Sequence, residues 1–328
     1  MKAVVLEEFG GPEVLTIREI PDPIAGPDEV RIRVSATALN RADLLERQGR
    51  YAMPGNKPRY QIPGLEVSGV VDQVGERVVA YRPGDRVMAL LSGGGYAEYA
   101  VSPERLTMPV PVGIDIINAA AIPEAFLTAF DALFTQGGAG PGSRVLVHAG
   151  ASGVGSAAIQ LAHQFHMSVV TTVGSQIKLE AARAFGADHV VNYRHEPFAD
   201  AVLDWSQGRG VDVILDLVGQ SYFADNLRVL SHDGTLVVIG TLSGTATTLD
   251  LGIVLGNRLK IQGTTLRSRA VEKKMALIQR FLKEAWPLLD RGLIAPVIDS
   301  TYDLADIAEA HRYLVSNQNI GKVLVRVG

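Results

Sequence analysis

The chain has no cysteine. That absence excludes disulfides, thiolate nucleophiles and every cysteine-based zinc site. No apolar run reaches the roughly 18 residues that suggest a membrane span. Neither sign of charge dominates: 31 basic residues face 35 acidic ones, for a net charge of −4. The basic residues are scattered and aromatics make up only 6%, so no basic, aromatic-rich surface for nucleic acid is in view. The opening MKAVVLEEFGGPEVL meets acids and glycines too early for a signal peptide, and the chain reads as cytosolic. What remains is 328 residues, 47% of them hydrophobic. That suits a soluble globular protein of one or two domains with a large core.

One stretch organises the rest. In SRVLVHAGASGVGS (Ser143 to Ser156) an apolar strand gives way to small residues, and a helical pattern starts at Val154. A strand, a glycine-rich turn and a helix N-terminus together suit a diphosphate. Backbone N–H groups point outward, the helix dipole favours an anion, and missing Cβ atoms allow close approach. The same letters also describe a small-residue turn that merely packs a helix on a strand, so the surroundings decide.

Residues 1 to about 120 read as β-rich. Glu29 to Ala38 alternates, with Val30, Ile32, Val34 and Ala36 on one face. Asn40 to Gln48 reads as a short helix, and Tyr51 to Pro63 as a loop. Further strands are expected at Val67–Val74, Arg86–Leu91 and Tyr96–Val101, a pattern that suggests a small barrel or paired sheets. From Val145 the texture changes. Strands near 145–149, 168–173, 189–192, 212–216, 234–239 and 259–264 alternate with helical patterns, which spells a doubly wound parallel sheet. Val271 to Leu289 reads as one helix with Met275, Ile278, Leu282 and Trp286 inward. The tail then supplies a strand at Val297–Ile298, a helix at Leu304–Val315 and a strand at Val323–Val327. It is too short for a domain of its own and is expected to return to the first domain.

In a dinucleotide fold an acid at the end of the second strand grips the adenosine ribose. Roughly 20 residues past the turn stand Val173-Gly174-Ser175, with no acid, followed by Lys178. A missing carboxylate spares a 2′-phosphate repulsion, while hydroxyl and ammonium groups favour it. This predicts NADPH over NADH. Ser175 also suits a helix N-cap and Lys178 a solvated first turn. Tyr193, after the third strand, is placed to flank the same phosphate.

The whole length resembles the medium-chain dehydrogenase/reductases, in their zinc-free quinone oxidoreductase branch. The resemblance is carried by ALNRADLLERQGRY (Ala38 to Tyr51), PGLEVSGVV (Pro63 to Val71), RPGDRVMALL (Arg82 to Leu91), GGGYAEY (Gly93 to Tyr99), AAAIPEAFLTAFDAL (Ala119 to Leu133), HAGASGVGSAAIQLA (His148 to Ala162) and NIGKVLV (Asn319 to Val325). It implies an α/β architecture in which a GroES-like β-rich catalytic domain (1–122 plus 267–328) receives an inserted Rossmann domain (123–266). It also implies NADPH as cofactor and a homodimer. The zinc ligands of the related alcohol dehydrogenases correspond here to Asn40 and Leu65, with Glu124 near the third position. Asn is a poor zinc ligand and Leu none, so no metal and no Lewis acid are expected. Glu66 is left as a structural acid.

A quinone needs little activation to accept hydride, so the protein's task is to orient two flat rings and exclude water. Asn40 and Tyr51 match the family's site-lining residues. Asn40 would offer amide donors to an oxyanion or to the nicotinamide ribose, and Tyr51 a hydroxyl and a stacking face. A helix N-cap and a plain loop residue are their structural alternatives. Thr128 matches a hydroxyl near the nicotinamide ribose. Ser152, Gly153, Val154 and Gly155 would cradle the diphosphate, with Ser152 where a glycine is usual, either crowding the diphosphate or reaching toward the nicotinamide. Gly240, Thr241 and Leu242 fall at the sheet edge. Leu266, Arg267 and Ser268 would close over the nicotinamide. Asn317 and Asn319 are candidates for the adenosine phosphate, and the Pro54–Pro63 loop for the wall of the acceptor pocket. The seven histidines show no metal spacing and read as structural. The expected activity is NADPH-dependent quinone reduction. Reduction of α,β-unsaturated aldehydes or ketones uses the same site, and a low-turnover NADPH-binding protein is the non-enzymatic alternative.

Overall fold

A computed structural model describes every residue except Ala52, Pro54, Asn56 and Lys57. Part of the Pro54–Pro63 loop therefore lies outside the described residues. The chain forms two compact units: Met1–Leu127 with Leu266–Gly328, and Thr128–Thr265. The division falls within a helix, Pro123–Phe130, that begins on a proline. Proline suits a helix's first turn because its missing N–H has no acceptor there anyway.

The first unit opens with an antiparallel pair, β1 (Lys2–Val5) and β2 (Thr16–Glu19). There follow β3 (Glu29–Ala38), helix α1 (Arg41–Arg47), β4 (Glu66–Val74), β5 (Arg86–Leu90), β6 (Tyr99–Pro103), β7 (Thr107–Pro109) and α2 (Pro123–Phe130). The second unit contains β8 (Arg144–Val147), α3 (Gly153–Gln164), β9 (Ser168–Val173), α4 (Gln176–Ala184), β10 (His189–Asn192) and α5 (Phe198–Trp205). It continues with β11 (Val211–Asp216), α6 (Phe223–Val229), β12 (Leu230–Val238), α7 (Leu251–Asn257) and β13 (Lys260–Gly263). The chain then returns to the first unit as α8 (Val271–Glu284), α9 (Trp286–Asp290), β14 (Ile298–Asp303), α10 (Ile307–Ser316) and β15 (Lys322–Arg326). No helix among the described residues is long and apolar enough to cross a membrane.

The second unit is a six-stranded parallel sheet in the order β10-β9-β8-β11-β12-β13. Its strands read as apolar runs because both faces are covered: Val145, Leu146, Val147, Val169 and Val170 are fully buried. The chain leaves β8 to either side, and in such sheets ligands bind outside the carboxyl ends at that switch.

In the first unit the order is β14-β15-β3-β4-β5-β7, with β6 also on β3. β15 runs antiparallel to β3 with Leu324 opposite Ala38, so Lys322 falls level with Asn40. β4 runs antiparallel to β3 on its other side with Val67 opposite Thr37, which sets Glu66 level with Ala38. Register alone thus gathers Asn40, Glu66 and Lys322 from three segments.

Two expectations need correction. The stretch Val271–Leu289 is two helices, because Pro287 cannot donate to the first and instead starts α9. The buried stripe of α8 is Lys274, Leu277, Ile278 and Phe281, with Met275 and Leu282 on its flanks. The strand foreseen from Tyr96 begins at Tyr99, since the backbone at Tyr96 bonds to β1 and to Pro63 rather than to β3: Tyr96 N–H donates to Pro63 O, and Tyr96 O accepts from Val4.

Candidate active site

In the first unit, Lys322 brings a buried ammonium into a ring of oxygens. Its Nζ donates to Leu39 O (2.8 Å), Asn40 Oδ1 (2.6 Å) and Glu66 Oε1 (2.7 Å). Glu66 is fully buried, and its second oxygen accepts the Glu124 N–H at 2.7 Å. Buried charges persist only when paired and hydrogen-bonded, and this pair is both. The structural role expected of Glu66 is what the contacts describe.

The ammonium also fixes Asn40. Lys can only donate, so the amide oxygen must face it and the amide nitrogen must face away. Asn40 Nδ2 accordingly donates to Glu66 Oε1 (2.9 Å) and Ala38 O (3.2 Å). Both amide hydrogens are spent inward. This corrects the donor role foreseen for Asn40: its amide hydrogens have partners within the protein, and its Oδ1 takes the Lys322 ammonium. Asn40 caps α1 in a capping box: its side chain faces the Asp43 N–H, and its own N–H donates to Asp43 Oδ2 at 2.7 Å.

Behind Asn40 lies a second polar cluster. Asp43 Oδ2 also accepts from Tyr96 Oη at 3.0 Å, and Tyr96 Oη lies 3.2 Å from His311 Nε2. Burial pushes the Asp43 carboxyl up to about 7, against the Asn40 N–H, with Glu46 adding to the rise. Burial first and the Glu66 carboxylate second push Glu124 up to about 8. Burial, and then Arg47, push His311 down to about 3.

These shifts have opposite signs for stability. A carboxyl raised on folding favours the fold while protonated and loses that contribution as pH rises to its folded value. A histidine held neutral works the other way, and its effect ends above its ordinary value of 6.5. From about pH 6.5 to 8 only the carboxyls act, so stability is expected to fall with rising pH. Melting temperatures across that window test this. Asp43→Asn and Glu124→Gln should each flatten the decline, and a wild-type profile that rises would refute it.

Tyr51 is half-buried. Arg267, expected over the nicotinamide, instead turns inside the first unit. Its guanidinium lies 2.8 Å from Glu46 Oε2 and 5.1 Å from the centre of the Tyr51 ring. Leu266 is buried beside it, whereas Ser268 is exposed. In the tail, Asn319 donates to Gly321 O and Asn317 accepts from Arg41, so each holds the chain entering β15.

In the second unit the carboxyl edge of the sheet collects the remaining candidates. The turn after β8 passes through Ala149, which adopts a left-handed φ of 54°. A Cβ on Gly155 would lie 2.3 Å from Ala149 O, so glycine is what lets the helix approach the turn. Ser152 caps α3: its Oγ accepts the Gly155 N–H at 3.0 Å. Ser152 Oγ thus serves as a cap, and the Gly155 amide is spent on it. Gly153 and Val154, half-buried in the first helical turn, keep N–H groups without a helical acceptor. A diphosphate fits that pair.

No acid follows β9. Ser175 is the N-cap residue of α4, but its side chain makes no capping bond. A Cβ on Gly174 would meet Tyr193 Oη at 2.4 Å, so the tyrosine hydroxyl sits at this turn. Lys178 follows on the first turn of α4. At the opposite end of the edge, Val238, Ile239, Gly240, Thr241, Gly263, Thr264 and Thr265 line a cavity of about 370 Å³. Leu242 is exposed and Thr128 is buried.

His148, at the start of the turn, is buried between Thr172 Oγ1 (2.9 Å) and Asn226 Oδ1 (2.7 Å), and Asn226 donates to Asp216. Burial holds its ring below the usual histidine range. It ties strand ends together, as a structural histidine would.

A profile described as "Alcohol dehydrogenase GroES-like domain" matches residues 26–112, and one described as "Zinc-binding dehydrogenase" matches 185–325. The quinone oxidoreductase of Lama guanicoe is 33% identical over 329 residues, covering 99% of this chain and 97% of that protein. The chain belongs to the quinone oxidoreductase branch of the medium-chain dehydrogenase/reductases. Among solved structures, an NAD-dependent alcohol dehydrogenase shares 36% identity at a TM-score of 0.89, covering 100% of both chains. The quinone oxidoreductase of Escherichia coli, complexed with NADPH, shares 27% identity at a TM-score of 0.90, again over 100% of both. The zinc named in the second profile does not suit the donor set here. Asn40 Oδ1 and Glu66 Oε1 already close on an ammonium, and no group of three or more His, Asp or Glu among the described residues could hold a metal.

Sequence reasoning passed over Lys322, although it stands inside a motif quoted for the resemblance. A lysine opening a strand usually reaches water, and only the pairing of β15 with β3 reveals otherwise.

Proposed function

We propose that this protein is a zinc-independent, NADPH-dependent reductase of quinones. The observation that carries this reading is the Lys322 ammonium at the centre of the oxygen cluster, which leaves acceptor chemistry without a Lewis acid. NADPH supplies the hydride. The Gly153 and Val154 amides would hold its diphosphate, and Ser175, Lys178 and Tyr193 its 2′-phosphate. The Tyr51 hydroxyl donates to the acceptor oxygen as charge develops there. The acid-free end of β9 favours NADPH over the NAD named for one structural relative. Lys178→Ala should raise KM for NADPH about tenfold and leave KM for NADH nearly unchanged.

A second reading, reduction of α,β-unsaturated aldehydes or ketones, uses the same site, because such acceptors also take a hydride and place charge on oxygen. Turnover of purified protein with NADPH and a panel of quinones and enones separates the two. NADPH oxidation by neither class sinks both and leaves an NADPH-binding protein.

The homodimer has support in the second unit. β13 ends its sheet with every residue exposed, and Leu251, Leu255 and Ile261 expose large apolar side chains. Bare edges with apolar surface invite pairing. Ile261→Lys with Leu255→Asp should halve the sedimenting mass, whereas wild-type protein that sediments as one chain would end this reading. The cysteine-free composition agrees with a cytosolic enzyme.

A further inference from the structure

The Arg267 side chain is 2% exposed and that of Glu46 is 0% exposed. Such an ion pair repays its lost hydration only when its geometry is close and further hydrogen bonds satisfy both groups. Here each part of the guanidinium has a neighbour. Nε donates to Ser92 O (2.9 Å) and Nη1 to Tyr51 O (3.4 Å), while Nη2 lies against Glu46. Its central carbon sits over the Tyr51 ring, 5.1 Å from the ring centre. Gln61 steadies the far oxygen of Glu46 at 3.2 Å. Lys274, itself buried, donates to both Arg267 O and Ser92 Oγ at 2.9 Å, so the loop that carries Arg267 is tied down as well. One guanidinium thus holds both the main chain and the ring of Tyr51, the residue that leads into the Pro54–Pro63 loop.

We propose that Arg267 is a positioning residue for Tyr51: it fixes the ring and strengthens the hydrogen bond that the Tyr51 hydroxyl donates to the acceptor's developing oxyanion. This rests on the reading of Tyr51 as that donor. A cation at the face of a phenol draws electron density from the ring and makes its O–H more polar. A guanidinium suits the task better than an ammonium, because its plane can lie along the ring while its fork reaches the acid and the carbonyls.

The test is a double-mutant cycle with NADPH and 1,4-naphthoquinone, using Tyr51→Phe, Glu46→Gln/Arg267→Gln, and the three together. The paired substitution avoids leaving Glu46 buried alone. It should lower kcat for the quinone about tenfold when Tyr51 is present, and by no more than about twofold with phenylalanine there. NADPH affinity, measured by fluorescence titration, should stay within about twofold throughout. Arg267→Lys, which keeps the ion pair, should show a smaller loss with the same dependence on Tyr51, and it serves if the paired variant does not fold. Fluorotyrosine at position 51 should ionise at higher pH once the guanidinium is gone. Equal losses in both backgrounds, or a loss confined to NADPH affinity, overturn the proposal while Tyr51 stands. If Tyr51→Phe is itself as active as wild type, the reading of Tyr51 falls first and takes the proposal with it.

Discussion

Replacing Lys322 with methionine is expected to destabilise the β-rich unit by about 3–5 kcal/mol, the usual consequence of stranding one member of a buried ion pair. The carboxylate left behind is Glu66, fully buried. Its oxygens would keep the Asn40 amide and the Glu124 N–H but lose the full positive charge of Lys322. For a unit of this size the melting transition should drop by roughly 10 °C. Adding Glu66→Gln should recover more than half of the loss, because a neutral amide no longer needs a counter-ion. Calorimetry on the single and double variants measures both effects. A loss below about 1 kcal/mol for Lys322→Met would mean that the pair behaves like one on the surface. Activity should fall further than stability explains, since without the ammonium the Asn40 amide is free to turn over.

The second large effect is expected at Gly155. Alanine there places a methyl 2.3 Å from Ala149 O and 2.8 Å from Gly150 Cα. Both neighbours are backbone, so the turn itself must move, and the Gly153 and Val154 amides move with it. A displacement near 1 Å in such a cradle is worth about 100-fold. NADPH and NADH should both weaken by about that factor, since they share the diphosphate. Gly140→Ala, where an added Cβ meets nothing within 4 Å, is the control and should bind NADPH normally. Titration by cofactor fluorescence decides the matter, and a Gly155→Ala protein with unchanged affinity would place the diphosphate elsewhere. The contrast with Lys178→Ala is diagnostic, because that change discriminates between the cofactors and this one does not.

Much of the inserted unit was legible beforehand. β9 and β10 fall where the apolar runs place them, because strands covered on both faces leave unbroken hydrophobic signatures. The missing acid after Val173 needed only counting. The hydroxyl of Ser152 was harder: nothing in GASGVG says whether it faces a ligand or its own helix, and the structure gives it to Gly155. In the β-rich unit the local signals were sound and the long-range ones absent. Lys322 and Asn40 lie 282 residues apart in sequence. Arg267 reads as a loop cation beside a nucleotide, and only the acid at Glu46 explains why it turns inward. Polar residues in a core are set by partners that no window of sequence contains.

The same strand register bears on how the protein is made. Thr128–Thr265 is one continuous stretch, so the inserted unit has its whole sheet as soon as it leaves the ribosome. The other unit does not. Asn40 and Glu66 emerge early, yet the ammonium they close on arrives only with β15, after the whole inserted unit is synthesised. Until then that acid waits without its counter-ion, and Ala36, Thr37 and Ala38 of β3 lack one partner strand. Domains generally form in order of synthesis. Here the half begun first is finished last, and nascent chains stalled before Lys322 should carry a protease-resistant second unit inside an unlocked first one.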